Sequence, residues 1–306
     1  MRPTPVLLGP RVRRGVGPLG PHGTSGTLSL SRGAGGEAAN PFEAPRRMAC
    51  MRRVRFRDPG GHVRNGEWTG ETDAEIRAYP TDGDRYTVAP EFYAAADVEI
   101  LPPCDPSKVV CVGLNYADHA AEQGKEIPDR PLLFLKPPNT VASHDETVEL
   151  PAGKERLDYE AELGVVVGER CRNVDAAEAG SVVAGFTCVN DLSNRDDQAV
   201  ETNWVRGKAF DGAAPLGPVV ASPDEVPADA AVRCHVNGQL CQDSSREQFI
   251  FSVPELLAEI TSYMTLEPGD VVSTGTPEGV GPLSDGDTVE VTIEGVGTLR
   301  NEVEIP

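Results

Sequence analysis

Three acidic residues alternate with other residues just before an apolar run, and this pattern limits what the middle of the chain can form. The acidic residues are Asp158, Glu160 and Glu162, and the apolar run covers residues 165–167. Such a run predicts a buried β-strand, in which alternate side chains share a face. Neighbouring carboxylates on a partly buried face are costly unless a cation compensates them. The pattern therefore indicates either a site for a hard divalent ion or a solvated acidic edge strand.

The charge of the chain is high and unevenly distributed. The 306 residues carry a formal net charge of −20, whereas residues 1–50 contain seven Arg and only two Glu. The acidic remainder repels nucleic acid and anionic membranes, so we expect neither as a partner. Its Lys-poor surface suits high salt, which predicts a halophilic source. An acidic proteome encoded by a GC-rich genome is the alternative.

The cysteines and the hydropathy pattern predict a cytoplasmic protein. The seven Cys form no regular framework, and neither Cys104/Cys111 nor Cys234/Cys241 has the spacing of a zinc knuckle. We therefore expect reduced, mostly buried thiols. No apolar run reaches the roughly 18 residues of a membrane-spanning helix, so the sequence predicts none.

Composition and turn signals divide the chain into three parts. Residues 1–47 are rich in Gly, Pro, Ser and Arg without periodicity. They predict a disordered extension, a transit peptide, or upstream sequence before a true start at Met48 or Met51. Residues 51–102 alternate apolar and polar residues between turns, which predicts a small N-terminal β-rich module. Residues 107–306 are predicted to form the main domain, which we expect to carry the function of the protein.

Strand patterns outnumber helix patterns in the main domain. Strands are predicted over residues 109–112, 181–189, 271–273 and 288–293. Helices are predicted over residues 116–123, from Ser193 onward with a capping box, and over residues 251–264. The predicted class is β-dominated α+β, because the sequence shows neither internal repeats nor the alternating βαβ order of a doubly wound fold.

A histidine and a glutamate lie close together after the strand predicted at residues 109–112. His119 and Glu122 have i,i+3 spacing on the predicted helix, so their side chains are neighbours. A carboxylate beside an imidazole fixes its tautomer and raises its basicity, which makes a general base for water. The same spacing is common in surface ion pairs, and by itself it favours that simpler explanation.

Two of the five lysines and one Gly-rich loop stand in unusual surroundings. Lys136 lies in an apolar, Pro-stiffened segment, which fits either a structural ion pair or an anchor for a substrate loop.

Lys208 has two possible roles. Near three carboxylates it would stay charged, and together with a divalent ion the charges of such a site would sum to zero. The alternative is an ordinary surface lysine. The loop at residues 274–281 could bring backbone N–H groups to an anion, although a plain turn is the usual explanation.

Taken in order, these segments resemble the fumarylacetoacetate hydrolase family. The matching segments are residues 113–119, 133–137, 158–164, 190–191 with 195–196, 208–210, and 274–281. The resemblance covers residues 107–304, and residues 51–102 resemble the short β module that precedes this domain in many members. It implies a mixed β-sandwich roll, usually a homodimer, that binds Mg²⁺ or Mn²⁺. Ca²⁺ could replace that ion in a crystal.

The resemblance also implies roles for individual residues. The metal ligands fall on Glu160, Glu162 and Asp191. The catalytic positions fall on His119, Glu122 and Lys208. The substrate-binding positions fall on Arg195, Gln198 and Thr276.

The activity implied by the resemblance is enolate chemistry on a small 2-oxo acid. We expect a metal-dependent hydrolase that cleaves a C–C bond in an acylpyruvate-type 2,4-dioxo acid, such as fumarylpyruvate or acetylpyruvate, through a metal-bound enolate. The first alternative is an isomerase, tautomerase or decarboxylase acting on oxaloacetate or 2-hydroxyhepta-2,4-diene-1,7-dioate in aromatic catabolism. A sugar-acid dehydratase is more remote. An acidic cation-binding protein without activity would not require His119, Lys208 and Thr276.

Overall fold

β-Strands dominate the protein, and its helices are short. We describe the fold from a computed structural model that covers residues 51–70, 75–80 and 89–306. The interpretation of residues 1–47 as an extension or a mis-assigned start lies outside these residues. The described part confirms the β-dominated α+β class that the sequence predicts.

The described residues form twenty strands. The first ten are β1 (Arg52–Arg57), β2 (Val63–Thr69), β3 (Glu75–Ala78), β4 (Phe92–Ala94), β5 (Glu99–Leu101), β6 (Val109–Val112), β7 (Leu133–Lys136), β8 (Val141–Ala142), β9 (Thr147–Glu149) and β10 (Leu157–Tyr159). The others are β11 (Ala161–Val167), β12 (Val183–Asn190), β13 (Ser193–Asn194), β14 (Ala214–Ala221), β15 (Ala231–Val236), β16 (Gln239–Ser245), β17 (Val271–Ser273), β18 (Gly281–Leu283), β19 (Thr288–Ile293) and β20 (Gly297–Glu304).

Nine short helices connect the strands of the described residues. The α-helices are α1 (Ala117–Glu122), α2 (Arg195–Gln198), α3 (Val205–Lys208) and α4 (Val253–Tyr263). The 3-10 helices span Ala95–Asp97, Pro138–Thr140, Ala176–Val182, Pro223–Glu225 and Arg246–Gln248. None of the described helices is long and apolar enough to cross a membrane.

Most strands belong to one large mixed sheet. Its order is β4-β3-β2-β1-β14-β12-β11-β17-β6-β7, with β5 paired to β1 and β8 paired to β14. Neighbours are antiparallel except β17 with β6 and β14 with β8, which are parallel. Because β1 pairs with β14, the strands of residues 51–102 are hydrogen-bonded into the same sheet as those of the main domain.

A second sheet covers one face of the large sheet, which gives the sandwich. Its order is β16-β15-β19-β20-β9, and β19 and β20 pack against β11, β12 and β14. In β11, Leu163 and Val165 lie in the larger buried cluster between the sheets, whereas Val166 lies in a smaller cluster on the opposite face. A strand buried on both faces must be apolar at successive positions, and this explains the run at residues 165–167.

Several predicted elements are confirmed with the expected bounds. The strands predicted over residues 109–112, 271–273 and 288–293 have those bounds. The helix predicted over residues 251–264 forms as the shorter α4, and the strand predicted over residues 181–189 forms as β12, two residues later, because a 3-10 helix extends to Val182. The thiols also follow the prediction: the six described cysteines are free, and five of them are buried.

The helix predicted to begin at Ser193 begins two residues later. Ser193 lies in β13, and its hydroxyl donates to the carbonyl of Asp191 at 3.0 Å. The carboxylate of Asp196 accepts the backbone N–H groups of Glu155 and Arg156. Both side chains of the expected capping box therefore bind elsewhere. Ser193 uses a backbone carbonyl two residues away, a local contact that competes with capping, and Asp196 uses N–H groups 40 and 41 residues earlier in the chain.

Candidate active site

A cavity of about 690 Å³ opens beside the ends of β6 and α1 and the short helices α2 and α3. Its polar wall contains His119, Glu122, Gln123, Lys125, Arg156, Asp158, Glu160, Asp191, Arg195, Gln198 and Lys208. Its apolar wall contains Leu114, Pro128, Leu132, Phe134, Ala199, Trp204 and Val280. Seven of the nine site residues predicted from the sequence therefore share one cavity, and Glu162 and Thr276 lie outside its wall.

Three carboxylates, which we call the acidic triad, meet at one side of the cavity. Glu160 directly precedes β11, Glu162 is the second residue of β11, and Asp191 follows the end of β12. These strands are antiparallel neighbours with Ala161 opposite Asn190, so the start of one lies beside the end of the other. One oxygen from each carboxylate lies within 4.8 Å of the others, and all three residues are buried.

Asp158 lies beside the triad and not within it. It belongs to β10, and the strand is interrupted at Glu160 before β11 begins. Its carboxylate accepts from Arg156 Nε at 3.0 Å and from Arg195 Nε at 2.8 Å. The strand break explains why the alternation in the sequence does not bring Asp158 into the triad with its two neighbours.

Two cations compensate Glu160. Lys208 Nζ donates to Glu160 Oε2 at 2.6 Å, and Arg195 Nη2 donates to Glu160 Oε1 at 2.6 Å. Burial opposes ionisation of Glu160, but the attraction of Lys208 and Arg195 outweighs it and lowers the pKa of Glu160 to about 2. Lys208 also donates to Asp191 Oδ2 at 2.8 Å. Burial opposes its charge too, yet Asp191 and Glu160 raise the pKa of Lys208 above its usual value, so the ammonium stays protonated.

Glu162 has the opposite surroundings, because its nearest charges are negative. Burial, followed by repulsion from Asp191 and Glu160, raises the pKa of Glu162 to about 8. Its Oε2 accepts the Ser273 hydroxyl at 2.5 Å and the Gly275 N–H at 2.9 Å. Gly275 has φ +93°, and a Cβ there would lie 2.9 Å from the Asn115 side chain, so this backbone donor requires glycine.

Lys136 holds Asp191 from the side away from the cavity. Its Nζ lies 2.6 Å from Asp191 Oδ1 and donates to the carbonyls of Leu192 at 3.0 Å and Ala213 at 2.6 Å. The side chain is fully buried, and burial lowers the pKa of Lys136 in spite of Asp191. Of the two roles left open by the sequence, these contacts match the structural ion pair.

The donor set of the triad fits a divalent cation. Its ligands would be hard carboxylate oxygens, which Mg²⁺ and Mn²⁺ prefer. Glu162 keeps a like-charge environment that a cation would relieve. One oxygen from each carboxylate lies within 4.8 Å of the others, so a single ion between them would be within reach of all three side chains.

His119 and Glu122, which we call the dyad, face the cavity from α1. His119 Nδ1 lies 2.9 Å from Glu122 Oε2, and Glu122 Oε1 accepts the Gly279 N–H at 3.1 Å. His119 Nε2 lies 2.7 Å from the side-chain nitrogen of Gln123. The His119 side chain is only 7% exposed, whereas that of Glu122 is 40% exposed, so the imidazole is shielded and its carboxylate partner reaches solvent.

The three predicted substrate-binding residues have different positions. Arg195 and Gln198 line the cavity, and Arg195 Nη1 donates to the side-chain oxygen of Gln198. The Thr276 hydroxyl donates to the carbonyl of Ala161 at 3.0 Å and accepts from Gln242 at 2.9 Å. Within the described residues, Thr276 thus contacts the strand that carries Glu160 and Glu162, and not the cavity.

Some residues of the site are absent from the sequence prediction. Ser273 and Gly275 bind Glu162, and Gln123 contacts His119. Trp204 lines the cavity with φ +56°, and its ring packs against Phe134 with centroids 5.5 Å apart. Only the Gly-rich loop gave a signal in the sequence, because a Gly run after a strand indicates backbone N–H groups available to an anion.

Comparison with known proteins identifies the family of the chain. Residues 108–304 match the family described as Fumarylacetoacetate (FAA) hydrolase C-terminal. The crystal structure of 5-carboxymethyl-2-hydroxymuconate delta-isomerase from Mycobacterium smegmatis has 40% identity and a TM-score of 0.75, over 84% of this chain and 99% of that chain. Mitochondrial oxaloacetate tautomerase FAHD2B of Bos taurus is 40% identical over 215 residues, which are 67% of this chain and 68% of that protein.

A third relative was crystallised with ligands. Maleylpyruvate hydrolase from Sphingobium sp. SYK-6, in complex with manganese(II) and pyruvate, has 28% identity and a TM-score of 0.69, over 83% of this chain and 99% of that chain. The three relatives are thus an isomerase, a tautomerase and a hydrolase. With a match over residues 108–304, the chain belongs to the fumarylacetoacetate hydrolase family of enzymes.

Proposed function

We propose that the protein is a divalent-metal-dependent hydrolase that cleaves the C3–C4 bond of an acylpyruvate-type 2,4-dioxo acid. The observation that carries this proposal is the dyad facing the same cavity as the acidic triad. A cation site alone would not require a shielded imidazole whose second nitrogen is held by a carboxylate. Bond cleavage by water requires such a base.

The dyad supplies the proton transfers. Glu122 accepts Nδ1–H of His119, so the Nε2 lone pair can take a proton from water. The water oxygen attacks the C4 carbonyl, the C3–C4 bond breaks, and its electron pair becomes the enolate of pyruvate. The His119 imidazolium then returns its proton to C3, which gives pyruvate and a carboxylic acid. Both protons and both electron pairs are accounted for without an oxidant or reductant.

The other charged residues bind and orient the substrate. Mg²⁺ or Mn²⁺ held by Glu160, Glu162 and Asp191 would supply a Lewis acid for the oxygens of a 2-oxo acid. Lys208 stays protonated and is directed at the same place, so it can stabilise negative charge that develops on the substrate. Arg195 and Gln198 offer further donors to a substrate carboxylate.

A second candidate is a tautomerase or isomerase that uses the same enolate. The observation favouring it is the 40% identity to an oxaloacetate tautomerase and to a delta-isomerase, compared with 28% to a hydrolase. In that reaction His119 would move a proton between C3 and the 2-oxo oxygen of the substrate, and no water would be consumed.

Product analysis by NMR tests both candidates. Purified protein in high-salt buffer with Mg²⁺ or Mn²⁺ would be offered acetylpyruvate, fumarylpyruvate and oxaloacetate separately. The hydrolase predicts pyruvate plus a second acid, lost on adding EDTA and reduced by about 10²- to 10⁴-fold in His119→Ala. His62→Ala is a matched control, because His62 is 77% exposed in a distant turn. Enol–keto exchange of oxaloacetate, with both acylpyruvates intact, would establish the tautomerase instead.

A further inference from the structure

The two ring nitrogens of His119 have different neighbours. Nδ1 contacts the carboxylate of Glu122 at 2.9 Å, and Nε2 contacts the side-chain amide nitrogen of Gln123 at 2.7 Å. Gln123 is the C-cap residue of α1, and it lines the cavity together with the dyad. The imidazole is therefore held from both sides by residues three and four positions after it.

These contacts determine which nitrogen of a neutral His119 carries the proton. The ionised carboxylate of Glu122 can only accept a hydrogen bond, so Nδ1 must donate. A neutral imidazole has one donor and one acceptor, so Nε2 must then accept. The amide nitrogen of Gln123 is a donor and supplies the matching N–H. With a neutral imidazole, only this arrangement pairs one donor with one acceptor in both contacts.

The Nε2 lone pair that a general base needs is therefore occupied by Gln123. We propose that Gln123 is a positioning residue that caps the His119 base and must swing away before His119 can accept a proton from water or substrate. This inference rests on the proposed function of the dyad. In the resting state of the cavity, His119 Nε2 is then unavailable as a base.

The Gln123 side chain is free to leave without disturbing the helix. Its side chain is exposed, and within the described residues it makes a single hydrogen bond, to His119. The backbone keeps its own contact, because Gln123 N–H donates to the His119 carbonyl at 3.1 Å. Gly124 follows with φ +60° and ends the helix whichever way the Gln123 side chain points.

The test is Gln123→Met, which keeps the length of the side chain and removes the donor. Diethyl pyrocarbonate, which modifies unprotonated imidazole nitrogens, measures access to Nε2 by peptide mapping, with the exposed His62 as internal reference. Loss of one neutral hydrogen bond should raise the modification rate of His119 relative to His62 by about two- to tenfold. The same factor should appear as an increase in kcat/KM. Gln248→Met, an exposed glutamine outside the cavity wall, should change neither.

The possible results of this experiment distinguish capping of His119 by Gln123 from other roles of Gln123. An unchanged modification rate of His119 in a folded Gln123→Met protein would overturn the contact itself. Faster modification together with a lower kcat/KM would overturn the need for Gln123 to leave, since the amide would then assist the reaction. If no substrate is turned over, the proposed function fails, while the modification rates still decide whether Gln123 caps His119.

Discussion

Glu162 should make the metal-free protein less stable, and Glu162→Gln should therefore stabilise it. The carboxyl is buried beside Asp191 and Glu160, and burial and repulsion raise its pKa from 4.5 to about 8. The unfolded chain ionises this group near its ordinary value, whereas the folded protein holds the proton. The unfolded state is therefore favoured increasingly as pH rises from about 4.5 to about 8.

The size of the effect follows from the two pKa values. At pH 7 the folded protein must keep Glu162 protonated although the free group would be ionised. At about 1.36 kcal/mol per pH unit, this costs on the order of 3 kcal/mol. Glutamine cannot ionise and so avoids the cost. It also keeps an oxygen that can accept from Ser273 and Gly275.

Urea unfolding at pH 5 and pH 7, in EDTA and in Mn²⁺, measures the effect. In EDTA at pH 7, Glu162→Gln should be more stable than wild type by up to about 3 kcal/mol, and the difference should shrink at pH 5. In Mn²⁺ the wild type should gain stability in proportion to its affinity, while Glu162→Gln should gain much less because it has lost a ligand.

Glu160→Gln is the matched variant, and it should behave in the opposite way. Burial opposes the charge of Glu160, but Lys208 and Arg195 lower its pKa to about 2, so its ionisation stabilises the fold above pH 4.5. That contribution is lost as pH falls through about 2. Its removal takes one of the carboxylate partners away from each of two cations and should cost on the order of 3 kcal/mol at pH 7. If both variants lowered the stability of the metal-free protein at pH 7, the electrostatic reasoning would be refuted.

Two further predictions concern the support of the site and of α4. Lys136→Met removes a fully buried ammonium from Asp191 and two carbonyls, so it should lower the free energy of unfolding by about 3–5 kcal/mol, measured by urea denaturation. Ser252→Ala removes a hydroxyl that donates to Glu255 at 2.6 Å before α4. It should cost about 1 kcal/mol in the same assay and leave activity unchanged.

The members of the acidic triad were assigned through the resemblance to a known family, and strand order explains why they meet. Glu160 precedes β11, Glu162 lies in it, and Asp191 follows β12, the next long strand. An antiparallel pair brings such positions together, as the register of Ala161 with Asn190 shows. The contact of His119 with Glu122 was predictable from spacing, since i,i+3 residues are neighbours on any helix, whereas the catalytic role of the dyad came from the resemblance.

What the sequence could not supply is the choice of partner for each polar side chain. Lys136 fitted two roles equally until its contacts with Asp191 and two carbonyls were located. The capping box expected at Ser193 does not form, because Ser193 donates to the nearby Asp191 carbonyl and Asp196 accepts from the distant Glu155 N–H. Such choices depend on which backbone groups other strands leave unpaired, and no local pattern encodes that information.

The triad and the dyad balance stability against readiness in opposite ways. Glu162 is kept in a place where its charge is unfavourable, and the Ser273 hydroxyl and the Gly275 N–H hold it there. This lowers the cost of binding a cation, because the ion replaces a repulsion within the free protein. His119 is shielded, and its basic nitrogen is occupied by Gln123. The free protein satisfies that contact, so displacing Gln123 adds to the cost of the reaction.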